Sequence, residues 1–436
     1  MTAISTDVLV VGGGPCGSSI ATRLARAGHH VTVVEKRSGP RHKACGDILS
    51  PRAVAELSGI QVDPTQIGGH LVQGVRLTHG RHAVESPWPE HPDFPQHGIV
   101  VRRDRLDEHL RDRAVAAGAT LLMGHEAVSP IAERGFVRGA TVQLVSDEGE
   151  VTGTREIRAR FIVVADGANS RFGRGLGTSR QRKWPYAIAA RTYFASPRTH
   201  ETWVETSLGL PDPNGQPVAG YGWIAPMGDG NVNVGVGVLS SHRNIKSLNT
   251  LKLLTSFCAS IADDWGIDPN AGLKAPTRLR LPLGGSVTPK MGPTFLVVGD
   301  AAGEANPFNG DGLEAAFLGG RLAADVLEEA LTTGNSTSLQ RYPVLLDEEL
   351  GRYRKVGRLS ARFLGRPAIL KPALHVASRS DAAMGAVLRI ATNEMRNDAS
   401  AGGAERAYRI AGRPRKRAER RPTLRYRPSS SSSRTG

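Results

Sequence analysis

The segment VLVVGGGPCGSSIATRLARAGHHVTVVEK, Val8 to Lys36, decides the fold of this chain. Val8 to Val11 is a short β-branched run that reads as a buried strand, and Gly12-x-Gly14-x-x-Gly17 follows it directly. A helix with apolar or small residues on one face comes next, then a second β-branched run, Val31 to Val34, ending at Glu35. This is a βαβ unit for a dinucleotide. Gly12 makes the tight turn, Gly14 lets backbone N–H groups approach a pyrophosphate, and Gly17 lets helix pack on strand. The helix N-terminus offers unpaired donors and a positive dipole end to the phosphates. Glu35, with Lys36 beside it, stands about 20 residues on, where a carboxylate accepts hydrogen bonds from a ribose hydroxyl. A lone glycine pattern is weak, but here strand, glycines, helix, second strand and acid stand in register.

Two further strand ends say which dinucleotide. Phe161 to Val164 runs into Ala165-Asp166-Gly167-Ala168-Asn169-Ser170, and Thr294 to Val298 into Gly299-Asp300-Ala301-Ala302-Gly303. An aspartate with small residues beyond it suits a carboxylate reaching ribityl or ribose hydroxyls, although either Asp alone also reads as a helix N-cap. Two such ends on a chain with the first fingerprint favour FAD in an extended form. No second GxGxxG unit is present, so NAD(P)H, or another electron donor, is expected to visit the flavin and leave.

Three further segments carry a resemblance through most of residues 5–395. His42-Lys43-Ala44-Cys45-Gly46-Asp47 precedes Ser50-Pro51-Arg52-Ala53; Gly220-Tyr221-Gly222-Trp223-Ile224-Ala225-Pro226 lies mid-chain; and Gly299–Gly303 continues through Asn306-Pro307-Phe308-Asn309-Gly310-Asp311-Gly312. With these the chain resembles the geranylgeranyl reductase family of FAD-dependent oxidoreductases, most nearly the actinobacterial menaquinone (isoprenoid side-chain) reductases. Ala225 stands where the resemblance expects an aromatic, opening space in a pocket, and Cys16 where it expects alanine. The resemblance implies an α/β fold: a Rossmann-type FAD domain of the hydroxylase-like (glutathione-reductase-2) superfamily, an antiparallel β-sheet substrate domain and a helical C-terminal region. The expected boundaries are 1–75, 98–170 and 275–335 for the discontinuous FAD domain, and 76–97 with 171–274 for the substrate domain. Residues 336–410 form the helical region and 411–436 a disordered basic tail. Arg103 matches a flavin-contacting arginine of the family, although an arginine before a helix is more often a solvated charge.

Composition agrees with a cytosolic enzyme facing an anionic surface. Three cysteines (Cys16, Cys45, Cys258) make no disulfide framework, so a reducing compartment is expected. No charged-then-apolar leader precedes the first strand, and no run of 18 apolar residues occurs, so a cytoplasmic chain, peripheral at most on the inner membrane face, is expected. From Arg413 to Gly436 nine Lys/Arg stand against one Glu, giving +8 of the +15 net charge and leaving +7 for the other 412 residues. That tail, nearly free of apolar residues and ending in serines, reads as disordered. It is either a solubilising appendage or an attraction to anionic headgroups, at about 1 kcal/mol per basic residue near the surface. Nucleic acid is not expected, because no aromatic-basic interleaving accompanies the charge. No metal site is expected.

The segments Ala187–Phe194, Gly222–Pro226 and Asn231–Val238 alternate as antiparallel strands do. Such a sheet would cover the flavin and wall an apolar tunnel. Val356–Ile369 mixes apolar positions with arginines and reads either as an interfacial amphipathic element or, more simply, as a packed helix. Saturating an isoprenoid alkene needs hydride from reduced flavin on one carbon and a placed acid for the other. Cys45 is the first candidate: Arg41, His42 and Lys43 on one side and a Gly-Asp turn on the other are expected to lower its thiol pKa. Asp47, either a catalytic acid or a turn cap, and Tyr221 and Trp223, lining the pocket, complete the catalytic set. The expected cofactor contacts are Gly12, Gly14, Gly17, Glu35, Lys36, Cys45, Gly46, Arg103, Asp166, Gly167, Gly299, Asp300, Asn309, Gly310 and Gly312. The last three lead into a helix whose N-terminus would face the flavin pyrimidine ring. The partner expected is a polyprenyl lipid or isoprenoid. The alternative is a flavin monooxygenase (hydroxylase or epoxidase) or halogenase of natural-product biosynthesis, since fold does not fix function.

Overall fold

The computed structural model describes residues 4–39, 43–80, 82–212 and 215–364, with 368, 369, 372, 375, 389 and 390 beyond them. The expected tail, 411–436, and most of 365–410 lie outside the described residues, as do Arg41 and His42.

Ile4–Val11 is the central strand of a parallel sheet, flanked by Val31–Glu35 and by the long strand Val151–Val164. Phe295–Val297 and Thr120–Met123 extend it at either side, both in parallel register. The glycine turn thus lies at the carboxyl end of the middle strand, where open α/β sheets bind ligands. Successive side chains on the strand point to opposite faces. Val8 and Val10 pack with Ile20 and Leu24 of the helix Pro15–Arg26 and with Leu318 and Leu322 of the helix Leu313–Thr333. Leu9 and Val11 pack with Ala140, Val142 and Ile157 of an antiparallel meander that crosses the other face. Both faces are covered, which is why these strands are continuously apolar.

The second sheet has seven strands in the order Thr277–Pro282, Tyr186–Ala195, Asn231–Leu239, Gly220–Pro226, Trp203–Leu208, Gly74–His79 and His82–Pro87. All neighbours are antiparallel except Trp203–Leu208 with Gly74–His79, which pair in parallel. Two strands depart from the expected boundaries. Gly74–His79 straddles position 75, and Thr277–Pro282, expected in the FAD part, closes an edge of this sheet. The reason is its alternation: Leu279 and Leu281 are sheltered while Arg278 and Arg280 are exposed, the pattern of an edge strand with one wet face. In Asn231–Leu239, Val232, Val234, Val236 and Val238 are buried against Leu254, Phe257 and Ile261 of the helix Thr250–Trp265. Asn233, Gly235 and Gly237 therefore point to the opposite face, towards the first sheet.

Candidate active site

The dinucleotide turn has the shape that its glycines require. Gly12 has φ +107°, and a Cβ there would sit 2.5 Å from the Ala165 carbonyl oxygen. At Gly17 a Cβ would fall 2.0 Å from the Gly12 carbonyl oxygen, whereas at Gly14 it would meet nothing within 4 Å. The first two glycines serve packing, and the third leaves an open side that can take a pyrophosphate at the helix N-terminus. Glu35 is buried, accepting from the Gly13 N–H (3.0 Å) and the Arg37 N–H (3.1 Å). Its orientation is thus fixed, with lone pairs left for a ribose. Lys36 is exposed.

At the second strand end, Asp166 Oδ2 accepts from the Phe172 N–H (3.2 Å), while its buried Oδ1 has no partner. Burial pushes this carboxyl above its ordinary range against the donors of Ser170 and Phe172. A buried acceptor without a donor suits a ligand hydroxyl. At the third, Asp300 pairs with Lys43, and a Cβ on Gly312 would lie 2.9 Å from Asp300 Oδ1. Gly299 takes φ +56° where the chain passes Cys16 closely. Gly310 (φ +72°) is open on its Cβ side. Asp311 Oδ1 accepts from the Leu313 N–H (2.8 Å), capping the helix Leu313–Thr333, and burial pushes its carboxyl up to about 6. The open glycines and the orphan oxygen of Asp166 fit FAD.

Cys45 and Asp47 differ from expectation. Burial, outweighing the Arg103 guanidinium beside it, pushes the Cys45 thiol up rather than down. The loop lies inside the protein, where desolvation disfavours a thiolate. Asp47 is fully buried, with φ +62°, and accepts from Tyr193 Oη (2.6 Å) and Asn233 Nδ2 (2.9 Å). Burial raises its carboxyl against Arg191, Tyr193, Arg103 and Asn233. It holds the loop from behind. Asn233 also donates to the Cys45 carbonyl (2.9 Å) and accepts from Trp223 Nε1 (3.2 Å). One amide therefore ties the cysteine loop to the sheet. Arg191 adds a second tie, donating to the Lys43 carbonyl (2.6 Å) with its guanidinium 4.2 Å from the Tyr193 ring. Arg103 is buried at the start of the helix Arg103–Ala116, in two bonds to Asp107 (2.9 and 3.0 Å). Burial opposes its charge, and Asp107 together with Cys45 more than offsets this.

Tyr221 and Trp223 project from Gly220–Pro226 to the same face, ring centroids 6.0 Å apart. The Tyr221 hydroxyl donates to the Asn309 carbonyl. Ala225, on that face too, does not widen the pocket: it packs with Val72, Val100 and Tyr193. A cavity of about 820 Å³ joins these groups. Gly14, Gly167 and Asp300 line it at the dinucleotide side, with Cys45, Gly46, Arg103, Tyr221 and Trp223 between, and Leu77 and Leu208 from the second sheet, with Trp88 just after its edge strand, beyond. Lys43, Arg191, Tyr193, Asn233 and Asp311 were missed as site residues. The polar Asn233 inside a valine alternation, and Arg191 and Tyr193 two apart on a strand, were the available signals.

A dinucleotide turn that opens into an apolar chamber defines a flavoprotein oxidoreductase. The FAD binding domain family model matches residues 5–344. The chain is 37% identical to a menaquinone reductase of Mycolicibacterium smegmatis, over 95% of this chain and 98% of that one. It is 30% identical to a digeranylgeranylglycerophospholipid reductase of Methanosphaera stadtmanae, over 83% of this chain and 88% of that one. A geranylgeranyl bacteriochlorophyll reductase-like structure from Thermoplasma acidophilum superposes with a TM-score of 0.73 at 25% identity, covering 90% of this chain and 98% of that one. The chain belongs to the geranylgeranyl reductase family of FAD-dependent oxidoreductases, and FAD is its cofactor.

Proposed function

We propose that this enzyme saturates an isoprenoid C=C bond of a polyprenyl lipid, in a menaquinone side chain or a geranylgeranyl group. The observation that carries the reading is the single cavity running from the dinucleotide turn to an apolar sheet wall. An unactivated alkene offers no polar handle, so a shaped, dry chamber is what selects it. Bound reduced FAD supplies hydride for one alkene carbon, and the chain must supply a proton for the other. Among the three cavity-lining groups expected in catalysis, Tyr221 and Trp223 have their polar hydrogens engaged by Asn309 and Asn233. Cys45 lines the cavity with its thiol kept neutral by burial. We assign Cys45 as the proton donor, with Arg103 placed to steady the thiolate left behind. Asp47 is a positioning residue. Gly14, Glu35, Asp166 and Asp300 hold FAD, and NAD(P)H or another donor reduces it transiently. The relatives' names, which concern a quinone lipid and a phospholipid, support this substrate class. No described helix is long and apolar enough to cross a membrane.

The test is an anaerobic single turnover. The bound flavin is reduced, a menaquinone with an unsaturated tail is added, and flavin absorbance and product mass are followed. Reoxidation with two hydrogens gained in the tail supports the proposal. A flavin that stays reduced with menaquinone and geranylgeranyl lipids, then turns over an added substrate only with oxygen, overturns it in favour of oxygen chemistry.

A further inference from the structure

One face of the second sheet carries the cavity across its strands. Gly235, Trp223, Thr206 and Leu77 stand in one register row, each paired with the next on the neighbouring strand, so their side chains share a face. Gly237, Tyr221 and Leu208 form the row beside it. Trp223 stands against the cysteine loop: a Cβ on Gly46 would lie 3.4 Å from Trp223 Nε1, and one on Gly235 2.1 Å from its ring. The indole fills the space between loop and sheet.

Beyond Trp223 the cavity continues over Thr206 and Leu77, two strand spacings of about 4.8 Å each. Val75, Leu77, Val204, Thr206 and Leu208 wall this arm, and Trp88 lines it too. Val75, Leu77, Val204 and Trp88 are at most 8% exposed although they line the cavity. At the opposite edge of the sheet the cavity passes Leu279 and Leu281 to the helix Arg341–Leu364, which is tied there by Arg358 donating to the Gly284 carbonyl (2.8 Å). Its lining residues Leu359 and Phe363 are 44% and 47% exposed. The Trp88 end is the shut one. Trp88 is also fixed: its Nε1–H donates to the Val72 carbonyl (3.0 Å), its backbone N–H to the Gln73 carbonyl (3.0 Å), and a Cβ on Gly98 would sit 3.1 Å from the indole. It clusters with Val75 and Leu77, and Leu208 packs against them. Arg76 and Glu205, which pair across the same two strands, alternate to the opposite face. No charged side chain stands among the six that wall the arm.

We propose that Trp88 is the end-stop of a blind arm that receives the uncharged end of the substrate lipid, and so fixes which double bond is reduced. The inference rests on the polyprenyl-lipid reading and deepens it, because it assigns the choice of bond to one residue. The arm is about 10 Å long, and an extended isoprene unit, four backbone bonds, spans about 5 Å, so it holds about two units, or one with a flat ring. The rest of a longer chain leaves over Leu279 and Leu281. An ionic end, such as a phosphate, would find no partner in these walls, and its burial there is strongly disfavoured. A prenyl terminus and a quinone ring are both uncharged and meet the same requirement. An indole that does not yield stops whichever enters at a set depth, and that depth selects the carbons that stand beside Trp223 and Cys45.

The full-length holoenzyme, with its flavin reduced, is given menaquinones of two tail lengths without oxygen, and tandem mass spectrometry locates the bond that gains two hydrogens. In the wild type one bond is expected, at a constant distance from one end whatever the tail length. Constancy from the ring places the ring in the arm; constancy from the far terminus places the prenyl end there. Trp88→Ala, checked for full flavin content, should move the reduced bond one isoprene unit further from the buried end. Where that variant does not fold, Trp88→Leu, which keeps an apolar filling, should give a mixture of the wild-type bond and the next one out. An unchanged bond in a flavin-loaded variant, or a wild type that reduces several bonds without preference, overturns the end-stop and leaves the prenyl reductase reading standing. A wild type that reduces no prenyl lipid overturns that reading, and the end-stop with it.

Discussion

Replacing Asn233 by alanine should loosen the site more than any other single truncation on the second sheet. The residue is fully buried, and its amide holds three partners: the Asp47 carboxyl, the Cys45 carbonyl and the Trp223 indole N–H. A hydrogen bond to a charged group is worth about 1.5–3 kcal/mol and each neutral one about 0.5–1.5 kcal/mol. The loss should come to about 3–5 kcal/mol. It falls on a loop that already carries a left-handed Asp47 with one unpartnered oxygen. Because Asn233 donates to the carboxylate form, its removal raises the Asp47 pKa further, and the deficit should grow with rising pH and shrink where Asp47 is protonated. Denaturant unfolding of the holoenzyme at pH 5 and pH 8, read by tryptophan and flavin fluorescence, measures both. A deficit below about 1 kcal/mol, or one independent of pH, would refute the view that this amide couples the loop to the sheet.

Asp311→Asn should stabilise the protein relative to wild type as pH rises from 4 to 7. Its folded pKa of about 6 lies above the ordinary 3.8, so the wild-type penalty is absent at low pH and fully present above 6. That rise corresponds to about 3 kcal/mol, offset in part by a weaker helix cap; melting temperatures across pH check the sign. Gly17→Ala should abolish FAD retention through the 2.0 Å clash with the Gly12 carbonyl, measured as the flavin-to-protein ratio after purification. Gly235→Ala places a Cβ 2.1 Å from the Trp223 ring, so FAD should remain bound while alkene reduction falls, read by flavin content and single-turnover rate. Cys45→Ser should keep FAD and lose on the order of 100-fold in the proton-dependent step; full alkene reduction by this variant would remove Cys45 as donor.

The sequence by itself determined the parts whose physics is local. Strand, glycine turn, helix and acid between Val8 and Glu35 form a contiguous unit, and each glycine's requirement is set by backbone atoms a few residues away or on the adjoining strand end. The valine alternation of Asn231–Val238 likewise announced a sheet with one face apolar. Tertiary structure decided what depends on distant partners. The Cys45 thiol read as activated from its basic neighbours in sequence, yet its pKa is governed by burial among groups brought from far along the chain. Asp47 read as a catalytic acid or turn cap until Tyr193 and Asn233, nearly 150 and 190 positions on, closed over it. Ala225 read as open space until Val72 and Val100 filled it. Charge and hydrophobicity along a chain fix which surfaces must be buried; desolvation and pairing depend on what arrives to bury them, and folding alone supplies that.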